Sequence, residues 1–183
     1  RSPAMTDNDK PDALDKMVQA YEEMLKRTHD SLAKAGQETV PALRDLLEKS
    51  RDHMVELGEL TREEAAKVAG YVERDIKDAA TYITETGADL RQWWRFDLDQ
   101  VEQRLLEMFT SVADQTSLQL RGWADQARHA IGYHTGEISG PGTLVCTACG
   151  AEVHLHQTGR IPPCPKCHAT QFKRATPQDS QGQ

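Results

Sequence analysis

Cys146-Thr147-Ala148-Cys149 and Cys164-Pro165-Lys166-Cys167 decide how the end of this chain folds. They contain all four cysteines of a 183-residue sequence, in the pattern Cys-x2-Cys-x14-Cys-x2-Cys. A Cys-x-x-Cys turn points two thiolates at one ion and aims backbone N–H groups at the sulfurs, and two such turns facing each other complete a tetrahedron. The pattern therefore predicts one structural Zn2+ with Cys146, Cys149, Cys164 and Cys167 as its ligands. Four thiolates leave no open coordination position, so the metal's task is to fold a segment too small to hold itself.

The flanking residues agree. Leu144-Val145 leads a strand into the first turn, and Gly150 follows it. Glu152-Val153-His154-Leu155-His156 alternates as a returning strand, with Val153 and Leu155 inward and both histidines toward solvent. Gly159 and Pro162-Pro163 make a loop, and Gln171-Phe172-Lys173 reads as a closing strand. The prediction is a zinc ribbon, a small antiparallel sheet with the metal at one end.

Three other uses of these cysteines compete with this one. Two disulfides are disfavoured because cytoplasmic thiols stay reduced. A redox-active Cys-x-x-Cys usually opens a helix in a larger α/β fold. Iron in a rubredoxin-like electron-transfer site is the main competitor, since Cys164-Pro165-Lys166-Cys167 followed by Phe172 fits it. Helices joined to such a site would suggest a rubrerythrin, which needs Glu-x-x-His pairs. The residues three before His29, His53 and His129 are Lys26, Ser50 and Gln126.

N-terminal to the ribbon the character changes. Hydrophobic residues make up 38% of the chain and aromatics 5%, lean for a deep globular core but suited to helices that each bury a stripe. Four heptad-spaced seams are visible. The first runs Leu14, Met17, Tyr21, Met24, Thr28, Ser31 and Ala35, after Pro11 and before Gly36. The second follows Thr39 and Pro41 as Leu43, Leu46, Leu47, Ser50, Met54 and Leu57, ending at Gly58. Thr61 and Glu64 form a capping box ahead of Ala65, Val68, Val72, Ile76, Ala79 and Ile83. Beyond Gly87 come Leu90, Trp94, Leu98, Val101, Leu105, Met108 and Val112, on a fourth helix or on a bent continuation of the third. The short connection at Gly58–Leu60 makes the second and third helices antiparallel neighbours. A further short helix, capped by Asp114, would carry Leu118, Leu120, Trp123 and Ala127 and stop near Gly132.

The predicted fold is mainly α: long helices in a coiled-coil-like antiparallel bundle or hairpin, then a small C-terminal β zinc ribbon. The division is 1–10 disordered, 11–132 acidic and helical, 133–175 zinc ribbon, and 176–183 a disordered tail. Arg1-Ser2-Pro3-Ala4 reads as a tag remnant before a start at Met5. No run of 18 apolar residues and no apolar leader is visible, so a cytoplasmic protein is expected.

Formal net charge is −7. From Gly136 onward Arg160, Lys166, Lys173 and Arg174 face only Glu137, Glu152 and Asp179, so the acidity belongs to the helices. That balance argues against a general nucleic-acid or membrane-surface binder. Neither a phosphate loop, a Ser–His–Asp signature nor a distinctive carboxylate pair is visible, and an enzyme is not expected. His168 is a spare ligand candidate beside Cys167, and His129 and His134 are expected to pack the helices onto the ribbon. Of the adjacent Trp93 and Trp94, one is expected in the seam and the other partly exposed as a candidate partner contact. Trp123 is expected to pack the short helix.

Gly136-Glu137-Ile138, Gly142-Thr143-Leu144-Val145-Cys146 and Gly159-Arg160-Ile161-Pro162-Pro163-Cys164-Pro165-Lys166-Cys167, preceded by acidic helices, resemble the YbeL-like family of bacterial zinc-ribbon-containing proteins. The resemblance covers the whole chain and is specific in the last fifty residues. It implies a helical N-terminal region, a ribbon with the four cysteines as metal ligands, and a cytoplasmic bacterial protein, and it carries over nothing catalytic. The expected function is a helical scaffold presenting the ribbon to protein partners or self-associating. The alternative is a nucleic-acid or ribosome-associated factor, with Arg160, Lys166, Lys173 and Arg174 on phosphates. The protein as purified should be colourless; a red preparation with visible absorbance would replace zinc by iron.

Overall fold

Residues 13–34, 43–87, 90–94, 101–120 and 132–175 are described by a computed structural model of the chain. The two termini (1–10 and 176–183), Pro11, Ala35, Gly36, Thr39, Pro41, Leu98, Trp123, Ala127 and His129 lie outside them. The helices are α1 (Ala13–Lys34), α2 (Leu43–Glu56), α3 (Arg62–Thr86), the single turn α4 (Arg91–Trp94) and α5 (Gln103–Leu120). Six short strands follow: β1 (Tyr133–His134), β2 (Ile138–Ser139), β3 (Gly142–Cys146), β4 (Glu152–Leu155), β5 (Gly159–Arg160) and β6 (Gln171–Arg174). The chain is mainly α with a C-terminal β ribbon.

The central helix is α3, which packs against α1, α2 and α5. It starts at the capping box: Thr61 Oγ1 accepts from Glu64 N at 3.2 Å, and Thr61 N donates to Glu64 Oε2 at 3.3 Å. It stops at Gly87, whose left-handed backbone lets its N–H reach the Ile83 carbonyl at 2.9 Å. That stop excludes a single rod running from α3 into the Leu90 seam. Arg44 near the start of α2 reaches Glu73 in mid-α3 at 3.7 Å. Because the other end of α2 joins the start of α3, the two are antiparallel. Lys16 with Glu64 and Tyr21 with Asp75 instead run α1 parallel to α3.

Tyr21, Met24, Thr28, Leu46, Val68, Val72, Ile76, Leu105 and Val112 of the seams are buried. Ser31 is exposed and Leu57 is 54% exposed, while Leu25 and Leu32 enter the core. A helix of 3.6 residues per turn drifts off a 3.5-residue repeat, so a fixed heptad loses the core face along its length.

Two expectations for the fourth seam are corrected. Leu90 and Trp94 lie on a turn and a single helical turn, and Val101 and Glu102 precede α5 in non-helical backbone, so no continuous helix spans the seam. Asp114 does not open a new helix, because α5 runs through it from Gln103 to Leu120. Thr116 and Ser117 turn their hydroxyls onto the carbonyls of Val112 and Asp114 at 2.7 and 2.6 Å, which satisfies them without leaving the helix.

The ribbon has a four-stranded antiparallel sheet in the order β1-β6-β3-β4 and a separate β2-β5 pair. Its own core is Tyr133, Leu144, Cys146, Ile161, Cys164 and Phe172, whereas Ile138 is buried in the helical core. The junction between ribbon and bundle is polar. Asp75, fully buried on α3, accepts from Tyr21 Oη, from Gly140 N at 2.8 Å and from Arg74 Nε at 3.0 Å, and Arg174 of β6 lies 3.5 Å away. Arg74 extends to Glu137 at 3.0 Å and to the Ile138 carbonyl at 2.8 Å. Tyr133 donates to Asp78 at 2.6 Å and accepts from Arg174 Nε at 3.2 Å. Arg174 also donates to Ser139 Oγ at 3.2 Å, and its guanidinium sits 4.4 Å from the Trp93 ring centroid. Burial raises the Asp78 carboxyl above its ordinary value despite Arg174 and the Tyr133 hydroxyl. Alongside, Trp94 Nε1 donates to Pro141 O at 2.9 Å and Thr143 Oγ1 to Trp94 O at 2.6 Å.

A Cβ on Gly142 would lie 1.7 Å from Arg174 Nη1. Gly142→Ala must expel that guanidinium, and denaturant unfolding should show a loss of about 3 kcal/mol. Thr61→Ala, which removes only the α3 cap, should cost about 1 kcal/mol in the same measurement.

Candidate metal centre

Each pair of cysteines is held by the same backbone loop. In the first, Cys146 N donates to Ala151 O and Gly150 N to Cys146 O, both at 2.9 Å. In the second, Cys164 N donates to Ala169 O and His168 N to Cys164 O, also at 2.9 Å. The residue after the second cysteine is left-handed in both: Gly150 has φ 77° and His168 φ 62°. Glycine takes that conformation without penalty, and a side chain there costs about 1–2 kcal/mol. This places His168 structurally: it closes a turn, is exposed, and is no part of the sulfur cluster.

The loops bring the four predicted sulfurs together. Cys146 to Cys167 and Cys149 to Cys164 are each 3.6 Å, and all four Sγ atoms lie within 4.8 Å of one another. Four sulfurs about 2.3 Å from a shared ion would form a tetrahedron with edges of about 3.8 Å. None of the cysteines is in a disulfide. Cys146 and Cys164 are buried, Cys149 is half-buried and Cys167 exposed.

The electrostatics call for a cation. The N–H of Cys167, followed by that of Lys166, draws the Cys164 thiol down to about 6 against the effect of burial. Burial opposes ionisation at Cys146, yet the N–H groups of Cys149 and Ala148 and the neighbouring thiols bring it below the ordinary thiol value. The Ala169 N–H favours the Cys167 thiolate, but the three surrounding thiols, with burial, push it up to about 12. Four thiolates cannot gather without compensation, and a divalent ion at their centre supplies it. The donor set thus fits a thiolate-bound ion.

The remaining predicted residues fall outside the centre. His154 Nδ1 is 3.0 Å from Thr143 Oγ1, and its Nε2 is 3.8 Å from Glu152, while His156 is exposed on the same side. His134 pairs with Glu137 at 3.3 Å. The expectation that one of Trp93 and Trp94 is partly exposed is wrong: both are 2% exposed. Trp93 stacks on Phe109 at 5.4 Å, and Trp94 meets Trp93 edge-on at 5.6 Å. Arg174 is not a surface cation either; it is 4% exposed inside the junction. Arg160, Lys166 and Lys173 are exposed.

Residues 30–176 match the zinc-ribbon containing domain family. This chain belongs to that family. The chain is also 27% identical to the uncharacterized protein YbeL of Escherichia coli K12 over 161 residues, covering 88% of this chain and 97% of that one. The YbeL proteins of the O6:H1 and O157:H7 strains match to the same extent. No solved structure matches the chain. Among the described residues no helix is long and apolar enough to cross a membrane. The family match and the four-cysteine cluster together support metal binding, with zinc the metal that the family's description names.

Sequence reasoning missed the junction residues Arg74, Asp75, Asp78 and Tyr133. The signal was Arg74-Asp75 set between the core residues Val72 and Ile76, a pair of charges beside an apolar stripe.

Gly150→Ala should lower the stability of the metal-loaded protein by about 1 kcal/mol. His168→Gly should leave metal affinity intact, as measured by competition with a chromogenic chelator. Weaker binding in that variant would make His168 a ligand.

Proposed function

We propose that this protein is a non-enzymatic scaffold in which an acidic helical bundle presents a zinc ribbon, folded around one Zn2+, to protein partners in the cytoplasm. The observation that carries the reading is how the ribbon's surface is divided. Its inner residues Tyr133, Ile138 and Arg174 are committed to the bundle. Thr147, Ala148, Pro165, Lys166 and His168, on the two cysteine loops, are exposed. A closed four-thiolate ion has no site for substrate, so those loops are a surface for recognition and not for chemistry. A nucleic-acid partner is the weaker reading. With Arg174 buried, only Arg160, Lys166 and Lys173 remain of its four cations, beside an acidic bundle.

Cross-linked pull-downs from the native cell test the proposal, using the full chain and an Ala148→Arg/Lys166→Glu variant that keeps every cysteine. Partners retained by the first and lost by the second are the expected result. Salt-steep RNA or DNA binding by the full chain, or turnover of a substrate that survives rigorous purification, would count against it.

A further inference from the structure

We propose that metal occupancy of the four-cysteine site is transmitted to the helical bundle through Arg174, so that α3 is held firmly when the metal is bound and loosened when it leaves. The inference concerns the chain's response to its metal and holds whatever the ribbon recognises.

It starts from the ribbon's core. Of its six fully buried residues, two are the ligands Cys146 and Cys164. The remainder, Tyr133, Leu144, Ile161 and Phe172, is too little apolar surface to order some forty residues unaided, so the strands depend on the metal for their placement. The strand most exposed to that dependence is β6. It follows Cys167 after three residues, and its Phe172 pairs with Cys146. Its first carbonyl, Gln171 O, accepts from Thr147 N at 3.1 Å and from Thr147 Oγ1 at 3.2 Å in the other cysteine loop. The strand therefore spans the two halves of the metal site.

Two residues after Phe172 the same strand delivers Arg174 into the bundle. There the guanidinium lies 3.5 Å from Asp75 and 3.6 Å from Asp78 and rests on Trp93. Tyr133, paired with Phe172 across β1 and β6, carries the hydroxyl that donates to Asp78. When the strands lose their register, both groups leave together. Asp78 is then stripped of its partners, and Asp75 keeps only Arg74 as a cation. Asp78 is largely buried, its side chain 22% exposed, and Asp75 is fully buried, so losing these partners destabilises both, while water entering to solvate them opens the helix that carries them. Both carboxylates stand on α3, which packs against α1, α2 and α5.

Hydrogen exchange on the full chain, zinc-loaded and after chelation, tests the coupling. Removal of zinc should reduce the protection of the α3 amides around Asp75–Ala79 by about a hundredfold. Cys167→Ser, an exposed position, should reproduce that loss. In Arg174→Met the α3 amides should already be weakly protected with zinc bound, and chelation should change them little further. If Arg174→Met does not fold, Tyr133→Phe, which removes one hydrogen bond and keeps the ring, should give an intermediate response. Unchanged α3 protection on chelation overturns the proposal. So does an equal loss in the native and the substituted chains, since the metal would then act by a route other than this junction.

Discussion

Asp75 has no contact with water, yet it sits beside the apolar stripe of the helix around which the bundle is built. A carboxylate in that position is tolerable only if its oxygens are filled by donors and its charge is met. Every group that does so is in a defined place: Tyr21 on α1, Arg74 on its own helix, the Gly140 amide and Arg174 from the ribbon. Satisfying this one residue fixes how α1 lies on α3 and where the ribbon lands. Apolar packing favours many arrangements of nearly equal energy, whereas a buried charge with four partners tolerates one.

The same demand explains several choices that look incidental. Trp93 offers its ring to a guanidinium that already has two carboxylates nearby, and Tyr133 places its ring under both arginines at 4.2 and 4.8 Å. Aromatic faces cover cations without competing for their hydrogen bonds. Trp94 and Thr143 add neutral hydrogen bonds at the margin. The ribbon is thereby seated on the bundle by polar contacts and by Ile138, which leaves the helical core closed beneath it.

The two ends of the chain were not equally legible in the sequence. Cysteine spacing is a local rule with few solutions, and with its flanking residues it located the metal loops, the three strands β3, β4 and β6 and the cluster. The capping box at Thr61 was equally readable, since it is decided within four residues, whereas Gly87 was readable as an interruption and its left-handed backbone made it a stop. The seams named most of the buried face of α1, α2 and α3. They failed at Ser31, where the 3.6-residue turn outran the heptad, at Leu57, which lies in the turn just past the end of α2, and at Trp93, whose burial depends on Phe109 sixteen positions later. They failed entirely at Arg74, Asp75 and Arg174. Charged residues are read as solvent-facing by default, and only partners brought from distant segments reverse that reading.

Those partners are far apart along the chain, and this bears on how the protein is made. Tyr21 and Asp75 are separated by 54 residues, Asp75 and Gly140 by 65, and Arg174 is later still. Contacts of such long sequence separation form late, because the loops between them must close first. During synthesis the helices leave the ribosome well before β6 does. The nascent bundle therefore spends that interval with Asp78 lacking its cation, and the last of the described strands to emerge is the one that completes the helical core's electrostatics.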